Sequence, residues 1–247
     1  MGLRRDRVRP YLLGEIVVVL LLVRVYDWVR RLAATRSGEA ERHADDVLAL
    51  ERVLHLDLEH PANDWLSRHG LFELLAGGWY QFAHIPVTIG LLAWCWWFRP
   101  DAYRPARTAL VAINLVGLAV FLVYPVMPPR LLPGGGFVDS LAAAGLGTGP
   151  AGPVSPDEFA AMPSLHLAWA TWVAVLAGTV LTGRVRKIGA AVYPLITAAV
   201  TVTTANHYTL DVVAGVAVAL AATAATGVLR WAPAPRPLAA AERAAPT

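Results

Sequence analysis

"AAMPSLHLAWATWVAVLAGTVL", residues 160–181, is apolar over most of its length, yet it opens with Pro163, Ser164 and His166. A run of this length suits a helix crossing a bilayer, whose hydrocarbon core needs about 20 apolar residues. The hydroxyl and the imidazole at its mouth are out of keeping with the rest and ask for a chemical reason. The remainder of the chain fixes their setting. Its 247 residues are 56% hydrophobic and 16% charged, with a mean hydropathy of +0.50. A soluble domain carries about 25% charged residues. The charges here are also clustered, leaving long stretches without any, which indicates an all-α, polytopic integral membrane protein. A net charge of +3 and a pI near 9.3 do not indicate nucleic acid as a partner. The basic residues sit in short blocks between apolar runs, a pattern that topology explains. The lone cysteine, Cys95, lies within an apolar run, so no intrachain disulfide can form.

Six spans are predicted, near 11–29, 72–98, 108–126, 163–182, 186–205 and 208–230. The basic start "MGLRRDRVRP" and the apolar run after it mimic a signal peptide, but "VRRLAA" puts two arginines where cleavage would occur. An uncleaved first span is the better reading. Between the first two spans, Val47, Leu50, Leu54 and Leu58 recur at helical spacing among charged neighbours. This suggests an interfacial amphipathic helix along the membrane surface, or an ordinary amphipathic connector. Residues 127–161 are rich in Gly and Pro and read as a long loop, of the kind that is often functional. Three regions follow: 1–71 with the first span and the interfacial helix, 72–232 as the helical core, and 233–247 as a disordered tail.

Orientation is read from the basic blocks. Arg4, Arg5, Arg7 and Arg9 precede span one, and Arg99, Arg104 and Arg107 sit between spans two and three. Arg184, Arg186 and Lys187 sit between spans four and five, and Arg230 and Arg236 follow span six. All four blocks fall on one side, which places both termini in the cytoplasm. Residues 30–71 dissent with six arginines of their own, interspersed with acids. Heavy use of Arg over Lys, with much Ala, hints at a bacterial source and hence the inner membrane.

The unusual polar residues gather on the opposite side. Arg130 follows span three, Ser164 and His166 open span four, and His207 and Asp211 open span six, with Asn206 beside them as a residue that would line the cavity. Ionisable residues at membrane depth are costly and usually mark function. His207 and Asp211 are four apart and would share a helix face. A carboxylate on one imidazole nitrogen leaves the other free as a nucleophile. His166 could protonate a leaving oxygen. Arg130 offers a forked donor matched to phosphate, and Ser164 with nearby backbone N–H groups makes an anion site at a helix start. Tyr80 and His84, also four apart, line the same cavity or form a buried pair. His166, His207 and Asp211 could also hold zinc. The nearby arginine suits an anion instead, so no metal and no cofactor is expected.

"PSLH" at 163–166 and "HYTLD" at 207–211 resemble the second signature and the His-x-x-x-Asp end of the third signature of the type 2 phosphatidic acid phosphatase superfamily. The resemblance covers roughly residues 72–230. It implies a six-helix membrane fold and metal-free histidine chemistry. His207 would then accept the phosphoryl group, with Asp211 as its partner and His166 as acid for the leaving group. Leu165 stands where that family usually has glycine, and "VTVTTANH" lacks the usual Ser-Arg before the histidine. With "YPVMPPR" at 124–130, these features are similar to the branch that contains the inositol-phosphorylceramide synthases. The substrate implied is an anionic membrane lipid phosphate or phosphodiester. Water as acceptor gives a lipid phosphatase, and an alcohol such as inositol gives a head-group transferase. A non-catalytic lipid-binding membrane protein is the alternative from a different class.

Overall fold

The computed structural model describes residues 9–146 and 159–230, so Arg4, Arg5, Arg7, Arg236, the expected tail and the centre of the long loop lie outside the described residues. Among the described residues ten α-helices run in order: α1 (Leu12–Ala34), α2 (Ser37–Leu54), α3 (Glu59–Ser67), α4 (Gly70–Phe82), α5 (His84–Phe98), α6 (Pro100–Val123), α7 (Ser140–Ala143), α8 (Leu165–Val180), α9 (Arg184–Thr203) and α10 (Thr209–Ala225). Among the described residues there is no strand, only an isolated bridge between Val126 and Ala160. The all-helical class read from the sequence holds. By length and apolar character, α6 and α9 are long enough to cross a membrane, while α5, α8 and α10 are shorter apolar helices.

Two expected boundaries move. The span predicted over 72–98 is two helices, α4 and α5, meeting at Ala83. Pro86 has no N–H to give the carbonyl of Phe82, which removes the hydrogen bond that would make one helix of them. The block Arg99, Arg104 and Arg107, expected as a loop, belongs mostly to the first two turns of α6. Pro100 occupies the first helical position, where its missing N–H costs nothing.

The core gathers around α8, which packs on α5, α6, α9 and α10. Trp172 is fully buried there, and its indole N–H donates to the carbonyl of Ala106 at 2.9 Å. Leu165 packs into α6 at Gly117, where an added Cβ would come within 2.7 Å of the leucine side chain. A bulky residue beside His166 is thus matched by the missing side chain opposite.

The expected amphipathic stripe is split, with Val47 turned inward. Leu50, Leu54 and Leu58 are exposed, and α2 buries Ala40, Ala44, Val47, Leu48 and Glu51. This face packs on Val126, Met127, Leu132, Phe159, Ala161 and Tyr208. The small residues Ala40 and Ala44 let α2 come close to the loop, whose Met127 N–H donates to Ala40 O at 3.1 Å. Asn63 of α3 fastens the loop at Val138 and the end of α9 at Thr203 through three hydrogen bonds of 2.8–3.1 Å.

Candidate active site

The site is built where the starts of α8 and α10 meet. Ser164 is the N-cap of α8, and its Oγ accepts the Leu167 N–H at 3.4 Å. Its own N–H donates to the Asp211 carbonyl at 3.0 Å, tying the two helix starts together. Gly215 makes this approach possible, because a Cβ there would lie 2.3 Å from the Ser164 carbonyl oxygen. Ser164 therefore works first as a cap and a strut, and it is fully buried.

His207 does not share a helix face with Asp211, as the four-residue spacing had predicted. It lies in the turn before α10, whose N-cap is Tyr208. Asp211 is the third residue of the helix and its Oδ2 folds back to accept the Tyr208 N–H at 2.9 Å. That capping carboxylate, which also suits the positive end of the helix, brings Oδ2 to 3.5 Å from His207 Nδ1. Nearer still is the carbonyl oxygen of Ala161, 2.9 Å from Nδ1. Ala161 is itself held, its N–H donating to Val126 O at 3.2 Å. With Nδ1 protonated and occupied, Nε2 carries the free lone pair.

The His166 ring centroid lies 5.7 Å from that of His207. Tyr80 stacks on His166 at 4.2 Å, and His84 meets it edge-on at 4.3 Å. Nε2 of His166 and Nε2 of His207 are both buried, with no hydrogen-bond partner among the described residues. Two imidazoles with uncommitted nitrogens at this spacing, one oriented from behind, can act as nucleophile and proton carrier on one small group.

Arg130 reaches the segment leading into His207. Its backbone N–H donates to Ala205 O at 2.9 Å and its Nε donates to Asn206 Oδ1 at 2.8 Å. Its Nη1 pairs with Asp139 Oδ2 at 3.0 Å, so an anion arriving there shares the guanidinium with a carboxylate. Asn206 faces Arg130 and donates to Thr204 Oγ1 at 2.9 Å, acting as a link rather than as part of the histidine cluster. Ala205 before it has φ +52°, a left-handed conformation that costs an alanine roughly 1–2 kcal/mol. Such strain concentrates at functional turns.

Sequence reasoning missed two carboxyl groups. Glu51 and Glu59, both fully buried, reach across to the start of α10. Glu51 Oε1 accepts the Leu210 N–H at 2.6 Å, and Glu59 Oε2 accepts from the Thr209 hydroxyl at 3.1 Å. Burial, with the Glu59 carboxyl beside it, pushes Glu51 up from its ordinary 4.5 to about 9. The pair thus caps the helix that carries Asp211. In the sequence they are two acids among many in a charged connector, and only their burial singles them out.

A family model described as the PAP2 superfamily matches residues 45–225, which takes in most of α2 and everything through α10 and leaves out α1. The chain is 28% identical over 168 residues to the phosphoinositol dihydroceramide synthase of Bacteroides thetaiotaomicron. That alignment covers 60% of this chain, and the chain spans about half, 53%, of that relative's length. No solved structure matches it. The matched segment contains both histidines, their carboxylate and the buried glutamates that brace them, and on its extent the chain belongs to the PAP2 superfamily.

Proposed function

We propose that this protein is an integral membrane enzyme that moves a phosphorylated group of an anionic lipid through a covalent intermediate on His207. The observation that carries the reading is the disposition of the two imidazoles. His207 is held at Nδ1 by Ala161 and Asp211, and its buried Nε2 is uncommitted beside an equally uncommitted Nε2 of His166. Nε2 of His207 attacks phosphorus as the bond to the lipid oxygen breaks. The leaving oxygen takes its proton from His166. The carboxylate of Asp211 steadies the imidazolium that forms. An acceptor hydroxyl then gives its proton to His166 and attacks phosphorus, and the N–P bond breaks to restore His207. Arg130 and the backbone N–H groups at the mouth of α8 would hold the phosphate oxygens.

Six traverses of the membrane, with both termini cytoplasmic and the site at the extracytoplasmic boundary, fit this chemistry and the basic blocks. Water as acceptor makes the enzyme a lipid phosphatase. An alcohol makes it a head-group transferase, a reading favoured by the Pro-Ser-Leu-His motif and by the synthase relative. Purified protein offered a phosphate-labelled lipid pool separates them. Label in free phosphate indicates hydrolysis, and label in a new lipid only when an alcohol is supplied indicates transfer. Lipid binding with no turnover of any lipid would sink the enzymatic reading.

A further inference from the structure

Beside His166, between α1, α5, α6 and α8, lies a cavity of about 340 Å³, within the usual range for small-molecule sites. His84, His166 and Trp169 stand at one end of it, and Val19, Leu22, Val111 and Leu118 are among the apolar residues of its wall. Its other end is polar. The Tyr103 hydroxyl donates to Glu15 Oε2 at 2.9 Å, and Arg107 Nε lies 3.6 Å from the same oxygen. The charges therefore sit inside the helical part of α1 and α6, where ionisable groups are costly unless paired. Along α6, Arg107 to Leu118 spans eleven residues, a depth of about 16 Å at the rise of an α-helix. That is close to one leaflet of a hydrocarbon core about 30 Å thick.

We propose that this slot receives one hydrocarbon chain of the lipid substrate, with its head at His166 and its end stopped by Glu15, Tyr103 and Arg107, so that the cavity measures chain length. The proposal rests on the lipid-phosphate reading of the site. The occupant is a hydrocarbon chain because the wall from the histidines to the floor is apolar save for Tyr26 and Asn114, whose amide already donates to the Leu110 carbonyl at 2.7 Å, and because the slot begins where the phosphate must be. The floor is a stop because its polar groups are already paired with one another, and a methylene pushed among them would strip that cluster without replacing its hydrogen bonds. One wall comes from α1, which lies outside the family match.

Two variants test the slot, assayed in mixed micelles with phosphatidic acids of graded chain length. Val111→Trp fills the middle of the cavity. It should lower kcat/KM for long chains by roughly tenfold or more, as overpacking of this kind does, and leave short chains unchanged. Glu15→Leu with Arg107→Leu removes both charges of the floor together, a replacement that buried pairs tolerate. It should shift the preferred chain to longer lengths. A profile unmoved by either folded variant, or rates lowered equally at every length, overturns the proposal. If the wild type turns over no lipid phosphate, the reading of the site fails, and the slot is judged by binding instead. A lipid phosphate with a photoreactive group at its chain end should label α6 near Arg107 or α1 near Glu15. Labelling confined to outward-facing residues such as Leu115 or Val116 overturns it.

Discussion

His207 Nδ1 lies 2.9 Å from the carbonyl oxygen of Ala161, nearer than the 3.5 Å that separates it from Asp211 Oδ2. A backbone carbonyl is thus the first orienter of the imidazole, and the carboxylate seconds it. Asp211→Asn should leave the Nδ1 proton in place. The expected fall in kcat is about 10²–10³-fold, short of the roughly 10⁴ found where a carboxylate alone sets the tautomer. Steady-state kinetics of the purified variant measure this, and a loss as large as that of His207→Ala would show that Ala161 contributes nothing.

Gly215 admits no side chain. Gly215→Ala sets a Cβ 2.3 Å from the Ser164 carbonyl, against backbone that cannot rotate away. The helix starts must part, at a cost of about 1–3 kcal/mol and with loss of activity. Gly178, inside α8, has open space where its Cβ would go, so Gly178→Ala should stabilise by up to about 1 kcal/mol. Thermal unfolding in detergent should move in opposite directions for the two.

Ala205 carries its left-handed φ just before Asn206. Ala205→Gly should relieve roughly 1 kcal/mol and raise the unfolding midpoint, with Arg130 still held by the same carbonyl. A β-branched residue there should lower both stability and turnover. Equal midpoints for alanine and glycine would count against strain at this turn.

Glu51, raised from 4.5 to about 9, binds a proton in the folded protein that it would release on unfolding at neutral pH. Its contribution to stability is therefore fully present below 4.5, declines as pH rises, and is lost above about 9. The unfolding midpoint should fall across this window. Glu51→Gln, which keeps the acceptor for Leu210 N–H and stays neutral, should flatten the slope. A slope unchanged in Glu51→Gln would assign it to other groups.

What could be read from the sequence was what depends on local pattern. Composition sufficed for the helical class, and "PSLH" with "HYTLD" drew attention to the histidines before any geometry was known. The two histidines and Asp211 do come together, but not through a shared helix face. Spacing cannot tell a helical pair from a capping turn, since both bring the side chains at i and i+4 close. Ala161 was invisible because a backbone carbonyl leaves no mark in sequence. Glu51 and Glu59 were hidden among other acids, and the stripe through Leu50, Leu54 and Leu58 gave no sign of which residues of α2 pack inward. The buried face of α2 includes the small residues Ala40 and Ala44, which hydrophobicity alone does not select.

The proposed chemistry turns on a covalent intermediate on His207. The most direct measurement is to mix purified protein with a phosphate-labelled lipid in the presence of a metal chelator, quench quickly, and look for label on the protein. Label should appear on the wild type, localised to the peptide bearing His207, be absent from His207→Ala, and be discharged on adding the acceptor. Turnover without any label on the protein, or activity that the chelator abolishes and a divalent metal restores, would contradict it.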